Sequence, residues 1–157
     1  MVIQRWQSVM LLIAGVMMGI FSFVSLGQIQ AADYTFNVTA LGIVREGVAT
    51  APGEATGVST VYLFIVALLG CLLPLIGIFS FKNMKLQKNL CMFSILFAVV
   101  SGLLAVFTAS GFASEYGQSV GWSSMICAPV IALIADIAAF RLISSDQKKL
   151  RAADRLR

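Results

Sequence analysis

The amino-acid sequence predicts an all-α integral membrane protein, a single membrane domain over residues 1–157 built as an antiparallel bundle of four transmembrane helices. Apolar residues make up 59% of the chain and charged residues 11%, about half the charge of an ordinary soluble domain. The charges are also clustered, and the windows between them exceed the ~20 residues that a helix needs to cross ~30 Å of hydrocarbon. These windows place the helices near 7–27, 59–81, 89–111 and 121–143.

The first helix has a second interpretation, as a secretory signal. Arg5 would supply the basic start, and the sequence IQA before Ala32 would supply a weak cleavage site. The apolar run is longer than that of a usual signal, so a retained transmembrane helix is favoured. Gly15 and Gly19 in this helix have the GxxxG spacing at which membrane helices pack closely.

The segment 28–58 is the only sizeable part predicted to lie outside the membrane. Tyr34, Phe36 and Val38 alternate with polar residues, which is the period-two pattern of a β-strand. The sequences GIV and VAT then flank REG, a pattern that fits a short hairpin. We therefore expect a small two-stranded element at the outer end of the bundle, serving either as a partner surface or as a cap.

Short connections order the remaining helices. The turn KNMKLQK joins helices 2 and 3, and the loop 112–120 joins helices 3 and 4, so both pairs are predicted to be antiparallel neighbours. Pro74 in helix 2 and Pro129 in helix 4 each remove a backbone donor and can kink their helices. Broken helices occur in transporters and in static bundles alike, so the prolines do not decide the function.

The basic residues predict the orientation, because Lys and Arg collect on the cytoplasmic side of membrane proteins. Ten of the eleven fall before helix 1, between helices 2 and 3, or after helix 4, and Arg45 alone falls in an outer loop. Both termini are therefore predicted to be cytoplasmic. The net charge of +4 then faces the anionic headgroups of the lipid bilayer and does not indicate nucleic-acid binding.

The tail 144–157 contains strong helix formers and neither Gly nor Pro. Leu150, Ala153 and Leu156 give it a narrow apolar stripe. We expect a short cytoplasmic helix that can continue helix 4 and lies near the headgroups, and a docking segment for a cytoplasmic partner is the second interpretation. Its basic residues are Lys148, Lys149, Arg151, Arg155 and Arg157.

Asp136 is the one charged residue between Glu115 and Arg141. It lies 14 residues after Trp122, ~21 Å along a helix, and so below the midplane of the membrane. An ionised carboxylate at that depth is costly unless it is paired or hydrated. Counting inward from the cytoplasmic helix ends predicts one polar layer around it, formed by Ser8, Ser80 and Ser94.

Two roles remain open for Asp136. Ionisable residues inside membranes are often functional, which makes a proton or cation site one candidate. The other is a structural role, either a hydrogen bond between helices that fixes their packing or a mostly protonated acid near the membrane interface. This structural role is favoured, because a proton relay normally needs several titratable groups along a path.

The sequence offers little support for an enzyme or a cofactor. It has no histidine, which removes imidazole ligands for metals and haem. Cys71, Cys91 and Cys127 form no Cys-x-x-Cys pair and are expected to be small buried packing residues. No motif indicates a phosphate loop, an intramembrane protease or a metal cluster. We therefore expect no catalytic residue, no cofactor and no metal.

Three segments carry a resemblance to one family. The start MVIQRWQS, the loop FKNMKLQKNLC and the end DQKKLRAADRLR, with four helices between them, resemble the bacterial membrane family catalogued as domain of unknown function 4293. Asp154-Arg155-Leu156-Arg157 is the most specific part, whereas Gln147 and Lys149 depart from the Glu and Leu expected in the family tail. The resemblance implies a small integral protein of the bacterial inner membrane and brings no activity.

The predicted function is that of a non-enzymatic accessory or scaffold subunit, bound to another membrane protein or to a second copy. Small size, sparse chemistry within the membrane, a basic tail and a strand-bearing loop motivate it. The alternative is a small oligomeric transporter or channel with Asp136 as its coupling or selectivity site. A water-accessible cavity at Asp136 favours transport, whereas a hydrogen bond to a neighbouring helix favours the structural role.

Overall fold

A computed structural model describes residues 2–30, 34–47, 54–80, 83–115 and 119–155. Within these residues it contains four long α-helices and five β-strands. In chain order they are α1 (Val2–Phe23), β1 (Gly27–Gln30), β2 (Tyr34–Val38), β3 (Gly42–Gly47), β4 (Glu54–Ser59), α2 (Val61–Phe79), α3 (Met84–Glu115), β5 (Val120–Trp122) and α4 (Ala128–Arg155), with a 3₁₀ helix at Ser124–Cys127.

All four helices are long and apolar enough to cross a membrane. Their bounds differ from the predicted ones where residues expected at a helix end form or adjoin a strand instead. The first helix stops at Phe23 because the strand β1 begins at Gly27, and the fourth starts at Ala128 because 120–122 form β5. The third has 32 residues, ~48 Å, and therefore extends beyond an apolar layer of ~30 Å.

One narrow face of each helix is buried, with buried positions recurring at alternating steps of four and three. This 3.5-residue period is that of knobs-into-holes packing. Helices α1 and α3 each contact both α2 and α4. The buried positions that follow this spacing are Gln7, Leu11, Ala14, Met18 and Phe21 on α1; Leu63, Ala67, Gly70, Pro74 and Gly77 on α2; Gln87, Cys91, Ser94, Ala98, Ser101 and Ala105 on α3; and Ala128, Ala132, Ala135 and Ala139 on α4.

The two glycines of α1 lie against α2. A Cβ atom added to Gly15 would lie 3.0 Å from Leu75 Cδ2, and one added to Gly19 would lie 3.5 Å from Cys71 Sγ. Small residues allow the backbones of membrane helices to approach closely. The GxxxG positions therefore lie at a helix contact within this chain.

The two prolines have different places. Pro129 is the second residue of α4, in the first turn, where a helix makes no use of the backbone N–H. The prediction that Pro129 kinks helix 4 is therefore wrong. Pro74 is fully buried inside α2, and the helix continues through it to Phe79.

The predicted tail belongs to α4, which continues without a break as far as Arg155. Lys148 and Lys149 are both exposed on this helix. The side chains from residue 150 onward lie outside the described ones. This applies to the apolar stripe and to the basic residues Arg151, Arg155 and Arg157.

The five strands form one antiparallel sheet in the order β4-β3-β2-β1-β5. The prediction of two strands is wrong, because the segment before helix 2 supplies four and the loop before α4 supplies a fifth. The hairpin turn also lies elsewhere: REG is inside β3, and the chain reverses where the Thr39 N–H donates to the Gly42 carbonyl at 3.0 Å. VAT, at 48–50, lies outside the described residues.

The sheet packs on the end of α3. Phe36 of β2 meets Phe112 of α3 edge to face, with 5.3 Å between ring centroids. Where α2 begins, the Thr60 hydroxyl donates to the Ala40 carbonyl at 2.9 Å. The helices thus hold the sheet in place. The buried residues of this contact are Ile29, Phe36, Val38, Ile43, Ala109, Phe112 and Ala113.

Candidate functional site

Asp136 lies inside the helix core, with no exposed surface. Its Oδ2 accepts a hydrogen bond from the Ser94 hydroxyl of α3 at 2.5 Å. The same hydroxyl oxygen lies 3.4 Å from the carbonyl oxygen of Gly70 on α2. Three helices therefore meet at Ser94, with a carboxyl and a backbone carbonyl as its two acceptors.

The hydrogen-bonding capacity around Asp136 is unbalanced. A serine hydroxyl has a single hydrogen, so Ser94 can donate to Asp136 or to Gly70 but not fully to both. The second carboxyl oxygen, Oδ1, is buried and has no partner among the described residues. An additional hydrogen on the carboxyl would let Asp136 donate to Ser94, and Ser94 would then donate to Gly70.

The structure brings Ser94 to Asp136 but places the other two predicted serines elsewhere. Ser8 follows Gln7, whose Nε2 donates to Asp146 Oδ2, so Ser8 lies near the level of residue 146. That level is ten residues, ~15 Å, from Asp136 along α4. Ser80 ends α2, ten residues beyond Gly70. The prediction of one polar layer is therefore wrong for Ser8 and Ser80.

Two buried glutamines were not singled out from the sequence. Gln7 is 4% exposed, and its contact with Asp146 joins α1 to α4. Gln87 is 3% exposed at the beginning of α3. Both occupy core positions, four residues before Leu11 and Cys91 respectively. The apolar core positions of each helix recur at alternating steps of three and four residues. Extending this spacing by one step toward the start of the helix predicts that both glutamines are buried.

An apolar cavity of about 300 Å³ lies along the contact between α3 and α4. It is formed where Gly102 of α3 faces Pro129 of α4, and its side is open. Asp136 is not among its lining residues. These are Ala98, Val99, Gly102, Leu103, Val106, Ile126, Pro129, Val130 and Leu133.

The family model described as Domain of unknown function (DUF4293) matches residues 3–156. The chain belongs to the DUF4293 family. The resemblance noted at the start, the middle loop and the end is thereby confirmed over nearly the whole chain. No curated protein matches this DUF4293 chain in sequence. The family has no assigned function, so the chemistry must be argued from the residues themselves.

The cysteines of the DUF4293 protein occupy three environments. Cys91 is buried and Cys71 is half-buried, as expected of packing residues. Cys127 is exposed at the end of the 3₁₀ helix, so the expectation of burial is wrong there. Over the described part of the chain, no three His, Cys, Asp or Glu side chains are grouped so as to hold a metal ion.

The end of the α3–α4 contact away from the sheet is polar and basic. Lys88 Nζ of α3 lies 4.9 Å from the ring centroid of Phe140 on α4. One turn further along α4, the Ser144 hydroxyl is buried and has no hydrogen-bond partner among the residues that the structure describes. Gln147 Nε2 is likewise buried and has no hydrogen-bond partner among these residues. Hydrogen-bond donors and cations are therefore gathered at this end.

Proposed function

We propose that this DUF4293 protein is a non-enzymatic accessory or scaffold subunit of a bacterial inner-membrane assembly. The observation that carries the proposal is the environment of Asp136, which is buried and accepts a hydrogen bond from Ser94. Ionisable groups on an ion or proton path characteristically face a water-filled cavity. A carboxyl that joins helices instead supports a packing role, and the protein then acts through its surfaces.

The proposed orientation is an antiparallel bundle with both termini in the cytoplasm. The sheet packs at the end of α3 that contains Phe112, whereas Lys85 and Lys88 lie at its other end. Arg141, Lys148 and Lys149 follow Asp136 toward the end of α4. Basic residues favour the cytoplasmic side, which supports an external sheet.

Two surfaces are proposed to meet partners. The sheet is held on α3 by a buried aromatic contact and so forms a fixed external platform. On the other side, α4 continues nine residues, ~13 Å, past its contact at Asp146. A second membrane protein or a second copy of this chain is the proposed partner class.

The test is recovery of the protein from membranes in mild detergent, with a tag inserted at residue 50 between β3 and β4. The proposal expects a stoichiometric partner or a homo-oligomer from wild type. Asp136→Leu asks whether the buried carboxyl supports assembly, and Ile137→Leu, at an adjacent exposed position, is the matched control. Recovery only as a monomer, under conditions that preserve known complexes, would overturn the proposal.

A small oligomeric transporter or channel is the second candidate. The observation that favours it is the unpartnered, buried Oδ1 of Asp136, which a proton or cation would satisfy. Reconstitution into vesicles with proton and monovalent-cation gradients tests it. Loss of a measured flux in Asp136→Asn, with folding intact, would support this candidate. A flux that persists in the variant would remove Asp136 from the transport path.

A further inference from the structure

Five residues converge where the α3–α4 contact ends, on the side away from the sheet. The position of Lys88 over the Phe140 ring turns this lysine toward α4. Ser144 and Lys148 follow Phe140 at steps of four residues, and such positions share one side of a helix. Arg141 is adjacent to Phe140 and exposed. Lys88, Phe140, Arg141, Ser144 and Lys148 therefore lie on one side of α4 and at the adjoining start of α3, a surface called here the basic seam.

The Ser144 hydroxyl is unusual among the helical hydroxyls. Helical Ser and Thr commonly donate to the carbonyl four residues earlier. Ser22, Thr108 and Ser110 do so at 2.9, 2.8 and 2.7 Å. Ser144 makes no such bond, although its oxygen is buried. A donor without an acceptor, on a helix side that carries three cations, points to an anionic ligand that supplies acceptor oxygens.

The basic seam lies at the depth of lipid headgroups. Residues 89–114 of α3 carry no charge, so Lys88 marks the edge of an apolar stretch long enough to cross ~30 Å of hydrocarbon. Arg141 is the first charged residue after Asp136 on α4. Toward the membrane, the exposed side chains Met92 and Ile137 lie one turn from Lys88 and Arg141. Cations at the boundary with apolar residues behind them suit a headgroup and its acyl chains.

We propose that the basic seam binds the phosphate of an anionic phospholipid. The Lys88, Arg141 and Lys148 side chains neutralise the phosphate, and the Ser144 hydroxyl donates to one of its oxygens. The acyl chains lie against the exposed apolar residues of α3 and α4. In the orientation proposed above this is the cytoplasmic leaflet. The lipid site does not depend on the accessory-subunit role.

The test uses the purified full-length protein stripped of lipid. Binding is measured by native mass spectrometry and by the rise in unfolding temperature with phosphatidylglycerol, phosphatidylcholine of the same chains, or inorganic phosphate. The proposal expects phosphatidylglycerol to be retained and to stabilise the protein, with little effect of phosphatidylcholine. Equal effects of the two lipids would overturn it. Stabilisation by inorganic phosphate to the same extent would assign the seam to free phosphate and would also overturn it.

Variants locate the site. Each cation near an anionic membrane surface contributes about a fivefold gain in affinity, so Arg141→Gln with Lys148→Gln should weaken phosphatidylglycerol binding about 25-fold. Ser144→Ala should weaken it while leaving every charge in place. Lys149→Gln is the matched control, because Lys149 is exposed and lies nine residues after Phe140, on the opposite side of α4.

The control decides between a site and general attraction. Loss of binding in Lys149→Gln as large as the average loss per cation in the double variant would show attraction to net charge alone, and would overturn the proposal. Circular dichroism and the elution volume in size exclusion establish that each variant is folded before binding is compared. Unchanged binding in both the double variant and Ser144→Ala would equally overturn it.

Discussion

Ser94 lies where three helices meet. Its hydroxyl lies within hydrogen-bonding distance of Asp136 and of the Gly70 carbonyl, and it has one hydrogen to offer. The remaining carboxyl oxygen of Asp136 has no partner within the described part of the chain. Buried polar groups are costly when unsatisfied, so this small cluster is sensitive to any change in its number of donors.

Ser94→Ala should destabilise the protein by about 1–3 kcal/mol, because it leaves both carboxyl oxygens of Asp136 buried without a donor. Asp136→Asn should retain the stability of wild type, because the new amide can donate to Ser94 and release the serine hydrogen for Gly70. Unfolding of purified protein in detergent measures both. Ser110→Ala, an exposed serine bonded to its own helix, is the control and should have little effect. A Ser94→Ala variant as stable as the control would contradict the assigned hydrogen bond.

Counting depth from helix ends found Ser94 but misplaced Ser8 and Ser80. The method assumes that all four helices end at one level. In the structure α3 begins at Met84 and α4 continues to Arg155, so their ends overhang. The prediction was nevertheless right for Ser94, because both Ser94 and Asp136 lie well inside their helices. Serines near a helix end are placed by the overhang, which composition does not reveal.

At the scale of elements, small side chains set how closely the helices pack. Alanines and glycines occupy most core positions of α2 and α4. Gly15 of α1 lies against Leu75 of α2, whereas a Cβ atom on Gly111 of α3 would meet nothing within 4 Å. These two glycines therefore differ in what a methyl group would do, although both are helical.

Gly15→Ala should destabilise the protein by about 1–3 kcal/mol, because the new methyl group would lie 3.0 Å from Leu75 Cδ2 and 3.1 Å from Leu75 Cγ, so that this packed side chain must give way. Gly111→Ala should be neutral or stabilising by up to ~1 kcal/mol, since alanine is the better helix former and space is open. Thermal unfolding compares the pair. If Gly15→Ala unfolded at a higher temperature than Gly111→Ala, the close contact between α1 and α2 would not lie at Gly15.

The sheet was the part least visible in the sequence. The strand β2 could be predicted from the alternation of Tyr34, Phe36 and Val38 with polar residues. The strands β1 and β5 could not, because the GQIQ sequence of β1 is mostly polar and β5 has only three residues. The strand β5 pairs with β1 across a long stretch of chain, with Gly27 facing Trp122 across 94 intervening residues. Such a pairing depends on where the helices bring their ends together, and no local pattern encodes it. The contact of Phe112 on α3 with the sheet could not be predicted for the same reason.

Phe112→Ala should loosen the sheet from α3. The ring is 7% exposed and packs edge to face on Phe36, and loss of a buried aromatic side chain costs about 3–5 kcal/mol. Hydrogen exchange should rise in β2 and β3 while the helix core stays protected. Phe107→Ala, on the same helix but 71% exposed, is the control. Protection of β2 and β3 that is equal in the two variants would show that the sheet does not depend on this contact.

On the scale of the whole molecule, the two ends of the protein differ in chemistry. One end bears the sheet, and the other bears Lys85 and Lys88 at the start of α3 and Arg141, Lys148 and Lys149 of α4. Four helices long and apolar enough to span a membrane connect them. Because the anionic surface of the cytoplasmic leaflet attracts basic residues, this asymmetry is the physical basis of the proposed orientation.

The orientation can be tested with two single-cysteine proteins made in a background where Cys71, Cys91 and Cys127 are replaced by serine or alanine. Ser119 lies beside β5 and Ser145 lies on α4 beyond Arg141, and both are exposed. A membrane-impermeant maleimide applied to intact spheroplasts should label Ser119→Cys and leave Ser145→Cys unlabelled until the membrane is opened. The reverse pattern would turn the molecule over, placing the sheet in the cytoplasm and the basic seam in the outer leaflet. Labelling of both positions in intact spheroplasts would show that the two ends do not lie on opposite sides of the membrane.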